Sequence, residues 1–286
     1  MHSALDGKDL IASYYTLSGS PTRAISRHPF VERVQAASGA GYAGMGLTMY
    51  DVDAVLQSGL TLGSMRRTAD DHGITVAELE TLAFSPTPTT EELDAARRMV
   101  EVGHVLDARH MNVIVGLPGG TPIERDEVAT GFAQICDIAA EAGMLVGIEF
   151  MPFRAVATLQ DAMSVIDMAG RLNGGLVVDS YHFFRGGTCF EDLAAVPAER
   201  IITLQVTDLP WDPPADLLVE TQTGRLLPGE GELPLLDWIR TVDATGANAP
   251  VGVEILSDTL RELSVDEVAR ATYESTRRLL ETARAS

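Results

Sequence analysis

The stretch VVDSYHFFRGG, residues 177–187, decides how the whole chain is read. Two valines mark the end of a buried strand, and the apolar run stops on Asp179. A carboxylate there is costly unless it is paired or metal-bound. Tyr181, His182, Phe183 and Phe184 follow, then Arg185 and a glycine pair. Either Asp179 caps a strand end, or it is held there for chemistry. The other strands decide between the two.

Working outward, short apolar runs alternate with stretches of helical periodicity. The apolar runs fall at 10–17, 44–49, 74–82, 110–116, 144–152, 175–183, 201–210 and 250–258. Between them lie segments such as FVERVQAASGAG, which ends on glycine, and TEELDAARRMVEVGHVLDA, whose first turn carries Glu91 and Glu92. The last helix opens at Ser264, a good cap. Eight strand–helix pairs predict an α/β fold, a single (β/α)8 TIM barrel, as one domain over 1–286. The strands are continuous apolar runs, as a parallel sheet covered by helices requires. A doubly wound open sheet is the rival, but no G-x-G-x-x-G follows the first strand.

The composition narrows the partners. Net charge is −20, from 41 acidic and 21 basic residues, of which only Lys8 is a lysine. Such a surface repels phosphate backbones and anionic lipid, so neither nucleic acid nor membrane is expected. Cys136 and Cys189 sit in unrelated contexts and read as reduced thiols. The N-terminal MHSALDGKDLIASYY lacks a basic n-region and a long apolar core, and no run of eighteen apolar residues occurs. A cytoplasmic protein is the expectation.

In a barrel of this kind the chemistry sits at the carboxyl ends of the strands. Strands five to eight each carry an oxygen donor near that end: Glu149, Asp179, Gln205 and Glu254, spaced by 30, 26 and 49 residues. Three carboxylates in one pocket repel and drive each other's pKa up. A divalent cation resolves the conflict, and an all-oxygen set favours a hard ion, Mn2+ or Mg2+. His182, three residues after Asp179, reads as a contact of the ligand or of the acids. His110 opens a strand at the opposite face and reads as structural. Phe150, Met151, Phe153, Phe183 and Phe184 cluster just past strand ends, where some form pocket wall.

The four strand-end residues, the DSYH run and the PGEGELPL turn at 228–235 resemble the xylose-isomerase-like TIM barrels, the sugar phosphate isomerase/epimerase superfamily. The likeness spans nearly the whole chain. It implies one Mn2+, Mg2+ or Co2+ held through Glu149, Asp179, Gln205 and Glu254. The third ligand is His in the ketose epimerases and Gln here, as in the 3-dehydroshikimate dehydratase branch. The ketose epimerases also carry an Arg six residues past that ligand, where this chain has Trp211. Arg185 and Arg225 are then the cations left to orient an oxygen-rich substrate, beside Trp211, Tyr181 and Phe153.

The implied reaction is proton abstraction next to a carbonyl, with Glu149 or Glu254 as base. Reprotonation on the other face gives an epimer, and reprotonation of the neighbouring carbon an isomer. Loss of a β-hydroxyl, with His182 as acid, gives a dehydratase. The expected partner is a small polyhydroxylated carbonyl compound. Phosphodiester hydrolysis, as in the endonuclease branch, wants more metals and a richer histidine set than six. A silent barrel acting as a homo-oligomer or partner subunit is a third class. The Pro- and Gly-rich segment 209–233 is too long for a plain connection. It is expected to act as a lid, with Trp211 as an apolar wall and Gly224, Gly229 and Gly231 permitting closure.

Overall fold

In the computed structural model, which describes residues 5–285, eight parallel strands close into a barrel in sequence order. They are β1 (Leu10–Ala12), β2 (Gly44–Thr48), β3 (Thr75–Phe84), β4 (His110–Val115), β5 (Leu145–Glu149), β6 (Gly174–Asp179), β7 (Ile201–Val206) and β8 (Val251–Val253). The ring closes where β1 pairs with β8, Ile11 against Gly252. Residues 1–4 of the N-terminal stretch and residue 286 lie outside the described part. Among the described residues no helix is long and apolar enough to cross a membrane.

The helices follow their end signals. Helix Phe30–Ala40 stops at Gly41, whose φ of 106° is left-handed. Thr89 and Glu92 form a capping box on helix Thr90–Leu106, and Ser264 and Glu267 do the same on Val265–Arg284. Apolar helix faces pack on the outside of the barrel. Trp238, on helix Leu235–Thr245, is fully buried there against Phe183.

Several strands are shorter than the apolar runs promise, β5 ending at Glu149 and β7 at Val206 as well as the three that follow. β1 gives way after Ala12 to a helical turn, Tyr14–Leu17, because Thr16 turns its hydroxyl back to the Val253 carbonyl. β8 keeps only three ladder residues. β6 ends at Asp179, and Ser180–Arg185 is a helix rather than more strand. Asp179 Oδ1 accepts the Tyr181 N–H at 2.6 Å, so Asp179 is the N-cap of that helix. One residue therefore both stops the strand and starts the turn carrying His182. The segment 209–233 contains its own helix, Leu217–Thr223, capped by Asp216.

Candidate active site

Glu149 and Asp179 are the last residues of β5 and β6, and Gln205 is the register partner of Asp179. Glu254 follows β8, its N–H directed to the Val206 carbonyl. Adjacent parallel strands thus bring the four to one end of the barrel, and all four are buried. His182 joins them. One helical turn past Asp179, its Nε2 lies 3.3 Å from Glu149 Oε1 and 3.8 Å from Asp179 Oδ2. Single donor atoms of Glu149, Asp179 and His182 all fall within 4.8 Å of one another. The sequence placed His182 near the acids as a catalytic group; the geometry also makes it a candidate ligand.

Arg225 lies inside this cluster. Its Nη1 donates to Asp179 Oδ2 at 2.9 Å and to Glu254 Oε2 at 3.0 Å, with the side chain 3% exposed. Nε and Nη2 donate to the carbonyl and hydroxyl of Thr221. The guanidinium also sits 4.8 Å over the Tyr181 ring. Burial alone would lower its pKa, but the charges of Asp179 and Glu254 outweigh burial and raise it. Arg225 is the resident counter-ion of the acids.

One guanidinium does not balance three carboxylates. With Glu149, Asp179 and Glu254 ionised, two negative charges remain in a buried site. Burial, together with the charges of Asp179 and Glu149, holds the Glu254 carboxyl well above its ordinary range even against the opposing pull of Arg225. Two further atoms lack partners there. Gln205 gives its Nε2 to Glu254 Oε1 at 3.2 Å, leaving Oε1 buried without a hydrogen bond, and His182 Nδ1 is likewise unpartnered. A divalent cation fits this donor set in charge and chemistry: carboxylate oxygens, one amide oxygen and an imidazole nitrogen.

The remaining candidates divide. Phe153 and Tyr181 flank the His182 ring edge-on, at 5.5 and 5.1 Å between centroids. Arg185 is spent elsewhere. It pairs with Glu220 at 2.7 Å and donates to the carbonyls of Pro210 and Trp211. Its guanidinium ties down the 209–233 segment instead of facing the acids. Glu220 also accepts from the Tyr181 hydroxyl at 3.0 Å, so the tie reaches the ring beneath Arg225. Trp211 is 58% exposed, at the edge of a cavity of about 270 Å3 shared with Phe184, Arg185, Pro213, Leu217 and Leu233.

Of the glycines of the expected lid, Gly224 ends the helix Leu217–Thr223, and Gly229 and Gly231 belong to a turn held by Asp208. Asp208 accepts the N–H groups of Leu209, Gly229 and Leu233 through its carboxylate. A Cβ on Gly231 would stand 2.4 Å from both Asp208 Oδ1 and the Leu209 carbonyl. The PGEG turn is wrapped around a buried aspartate: Gly231 is required there for close approach, and Gly229 for its left-handed φ of 90°.

Sequence reasoning missed Ser13 and Glu80. The Ser13 hydroxyl lies 3.2 Å from Glu80 Oε1 and 3.3 Å from Glu254 Oε1. The available signal was Glu78 and Glu80 in ITVAELETL, two acids at period two inside an apolar strand. Tyr15 also faces this region: burial first, then the charge of Glu80, raises its hydroxyl well above the ordinary phenol value.

A family model described as xylose isomerase-like TIM barrel matches residues 34–281. An inosose isomerase of Bacillus velezensis is 28% identical over 192 residues, 65% of this chain and 67% of that protein. A 3-dehydroshikimate dehydratase of Pseudomonas aeruginosa is 27% identical over 244 residues. That match takes in 80% of this chain but only 36% of the dehydratase, so the chain spans about a third of that relative. Among solved structures, the IolI protein with a bound zinc atom superposes with a TM-score of 0.84 at 20% identity, covering 97% of this chain and 100% of that one. These relatives carry the names of isomerases and dehydratases, which makes the family one of enzymes.

Proposed function

The chain belongs to the xylose isomerase-like TIM barrel family, and from that premise we propose a divalent-metal-dependent isomerase or epimerase that abstracts a proton beside the carbonyl of a cyclic polyhydroxylated ketone. The observation that carries the reading is the undercompensated acid cluster, three carboxylates against one arginine at the strand ends. Glu149, Asp179, Gln205 and Glu254 would hold the ion, Mn2+ or Mg2+, with His182 beside them. When bound, such an ion supplies Lewis-acid polarisation of a carbonyl oxygen.

The other roles belong to the chain. Glu254, with a raised pKa and one oxygen on Ser13, accepts the substrate proton, and Glu149 returns it on the other side. Arg225 limits the charge that builds up between them. Phe153 and Tyr181 keep the His182 ring in place. The relatives named inosose isomerase support an inosose as the substrate class.

A second reading is a dehydratase acting on a 3-dehydroshikimate-like compound, with His182 giving a proton to the departing hydroxyl. Gln205 favours it, being the residue that the dehydratase branch carries at the third ligand position, and so does the 80% of this chain matched by the named dehydratase. The test is incubation with an inosose and, separately, 3-dehydroshikimate, with Mn2+ in D2O, followed by NMR. Deuterium uptake at the carbon beside the carbonyl is the expected result. No uptake and no new product with either compound would reject both readings.

The orphan oxygen of Gln205 yields a narrower prediction. Gln205→Ala should weaken Mn2+ binding by about tenfold or more, the weight of one donor or its support. Calorimetric titration reads this directly, and unchanged affinity would make Gln205 only a partner of Glu254.

A further inference from the structure

Glu149, Asp179, Gln205 and Glu254 occupy the barrel mouth over β5 to β8; over β1 and β2 the mouth carries hydroxyl side chains instead. Ser13, Tyr14 and Tyr15 follow β1, Thr48 is the last residue of β2, and Tyr50 lies in the first turn of helix Met49–Gln57. The β2–β3 register slips between Met45 and Gly46, which sets Glu78 opposite Gly46 and Glu80 opposite Thr48. The Ser13 hydroxyl touches both Glu80 and Glu254, so this side of the mouth adjoins the acid cluster.

Two of these hydroxyls have unused bonding capacity. Thr48 Oγ1 and Tyr50 Oη are both buried and meet no partner in hydrogen-bond geometry. Tyr50 lies near Thr48 and Tyr15 all the same, and the two phenols act on each other. The Tyr14 ring fixes both of them, edge-on to Tyr15 at 5.4 Å and to Tyr50 at 5.7 Å between centroids. Its own hydroxyl is spent on the Ala24 carbonyl at 2.9 Å and on Asp51 at 3.3 Å. A buried hydroxyl left bare is costly, and such groups are normally paired. Fixed hydroxyls with bonds to spare, at the end of a barrel strand beside the acids, are half of a site that a ligand completes.

Charge says which ligand fits. Arg33 is the guanidinium over the Tyr14 ring, at 5.4 Å, but it is buried with Asp51 and balanced by it through Nη2 at 2.5 Å. Burial raises the pKa of both phenols, and the carboxyl of Glu80 acts in the same direction on each. A carboxylate entering here would meet neutral hydroxyls and an acid, with no spare positive charge; a ring hydroxyl can donate to and accept from the same groups. We propose that Thr48, Tyr50 and Tyr15 bind ring hydroxyls of the substrate across the mouth from His182, and that they select an uncharged cyclic polyol over a ring bearing a carboxylate. The inference rests on the proposed reading of the acid cluster as the reaction centre. It also chooses between the two substrates named above, since an inosose is uncharged and 3-dehydroshikimate carries a carboxylate.

Calorimetric titration of the full chain in Mn2+ reads this without turnover. The probes are an inositol, which lacks the carbonyl, and shikimate, which keeps the carboxylate. The inositol should bind, and shikimate should bind about tenfold or more weakly by comparison. Tyr50→Phe and Thr48→Val should each weaken the inositol by about three- to tenfold, the weight of one neutral hydrogen bond. In turnover of an inosose the loss should fall on KM rather than kcat. The melting temperature of both variants should hold or rise, because each substitution removes a bare buried hydroxyl and keeps its shape; a structural hydroxyl would lower it.

If one variant does not fold, the other and Tyr15→Phe carry the test. No inositol binding by the wild type, unchanged inositol affinity in the folded variants, or shikimate bound as tightly as the inositol would each overturn the inference. Inositol binding that depends on Tyr50 and Thr48, in a protein that turns over neither an inosose nor 3-dehydroshikimate, would reject the proposed function and leave the polyol subsite standing. Turnover of an inosose with KM unaltered in the variants would do the reverse.

Discussion

Glu149→Gln and Glu254→Gln are each expected to lower turnover of a carbonyl probe by about a thousandfold or more, with the fold intact. Removing a general base alone costs about 100- to 10,000-fold. Each substitution also takes one negative charge from a site that has two in excess of Arg225, so Mn2+ affinity falls with it. Glutamine keeps the shape: at 149 it still faces His182 Nε2, and at 254 it still faces Ser13, Gln205 and Arg225. Loss of activity then reports charge and proton capacity rather than a cavity. Circular dichroism should match the wild type. A variant with normal dichroism and activity within about tenfold of wild type would remove that residue from the proton-transfer pair.

How much of this was legible in the sequence follows from the physics of each feature. The barrel was legible because a parallel strand covered on both faces must be apolar throughout, and eight such runs alternate with capped helices. Glu149, Asp179 and Glu254 were legible because each interrupts an apolar run, where an unpaired charge is costly. The end of β6 was misread because Tyr181, His182 and Phe183 suit a strand as well as a helix; the Asp179 cap to Tyr181 decided it. Arg225 could not be placed. It arrives from a segment whose path depends on Asp216 capping one helix and Asp208 holding one turn, and no periodicity shows where such a side chain ends. Arg185 looked equally available, yet its ties to Glu220 and two carbonyls commit it to holding that segment. Glu78 and Glu80 were legible as a pair of same-face acids, but their meeting over Gly46 depends on the β2–β3 irregularity.

Arg225→Met tests whether the acid cluster depends on its own cation. Breaking a buried ion pair from one side is expected to cost about 3–5 kcal/mol, because the remaining charges are left uncompensated. Here Asp179 and Glu254 both lose the same Nη1, at 2.9 and 3.0 Å, in a site too buried for solvent to screen. Loss of the contact over the Tyr181 ring adds about 0.5–2 kcal/mol. The melting temperature in chelator should drop on the order of 10 °C. Two conditions should restore part of it. Mn2+ should raise the melting temperature of the variant more than that of the wild type, because the ion then meets a site one charge more negative. Lower pH should do the same. Without Arg225 the Glu254 carboxyl rises further above its ordinary range, and a raised carboxyl contributes stability at low pH that is lost as pH rises. The deficit should therefore be larger at pH about 8 than at pH about 5. A variant as stable as the wild type in chelator at the higher pH would show that the three carboxylates are not ionised together. The argument for a divalent ion from residual charge would fall with it.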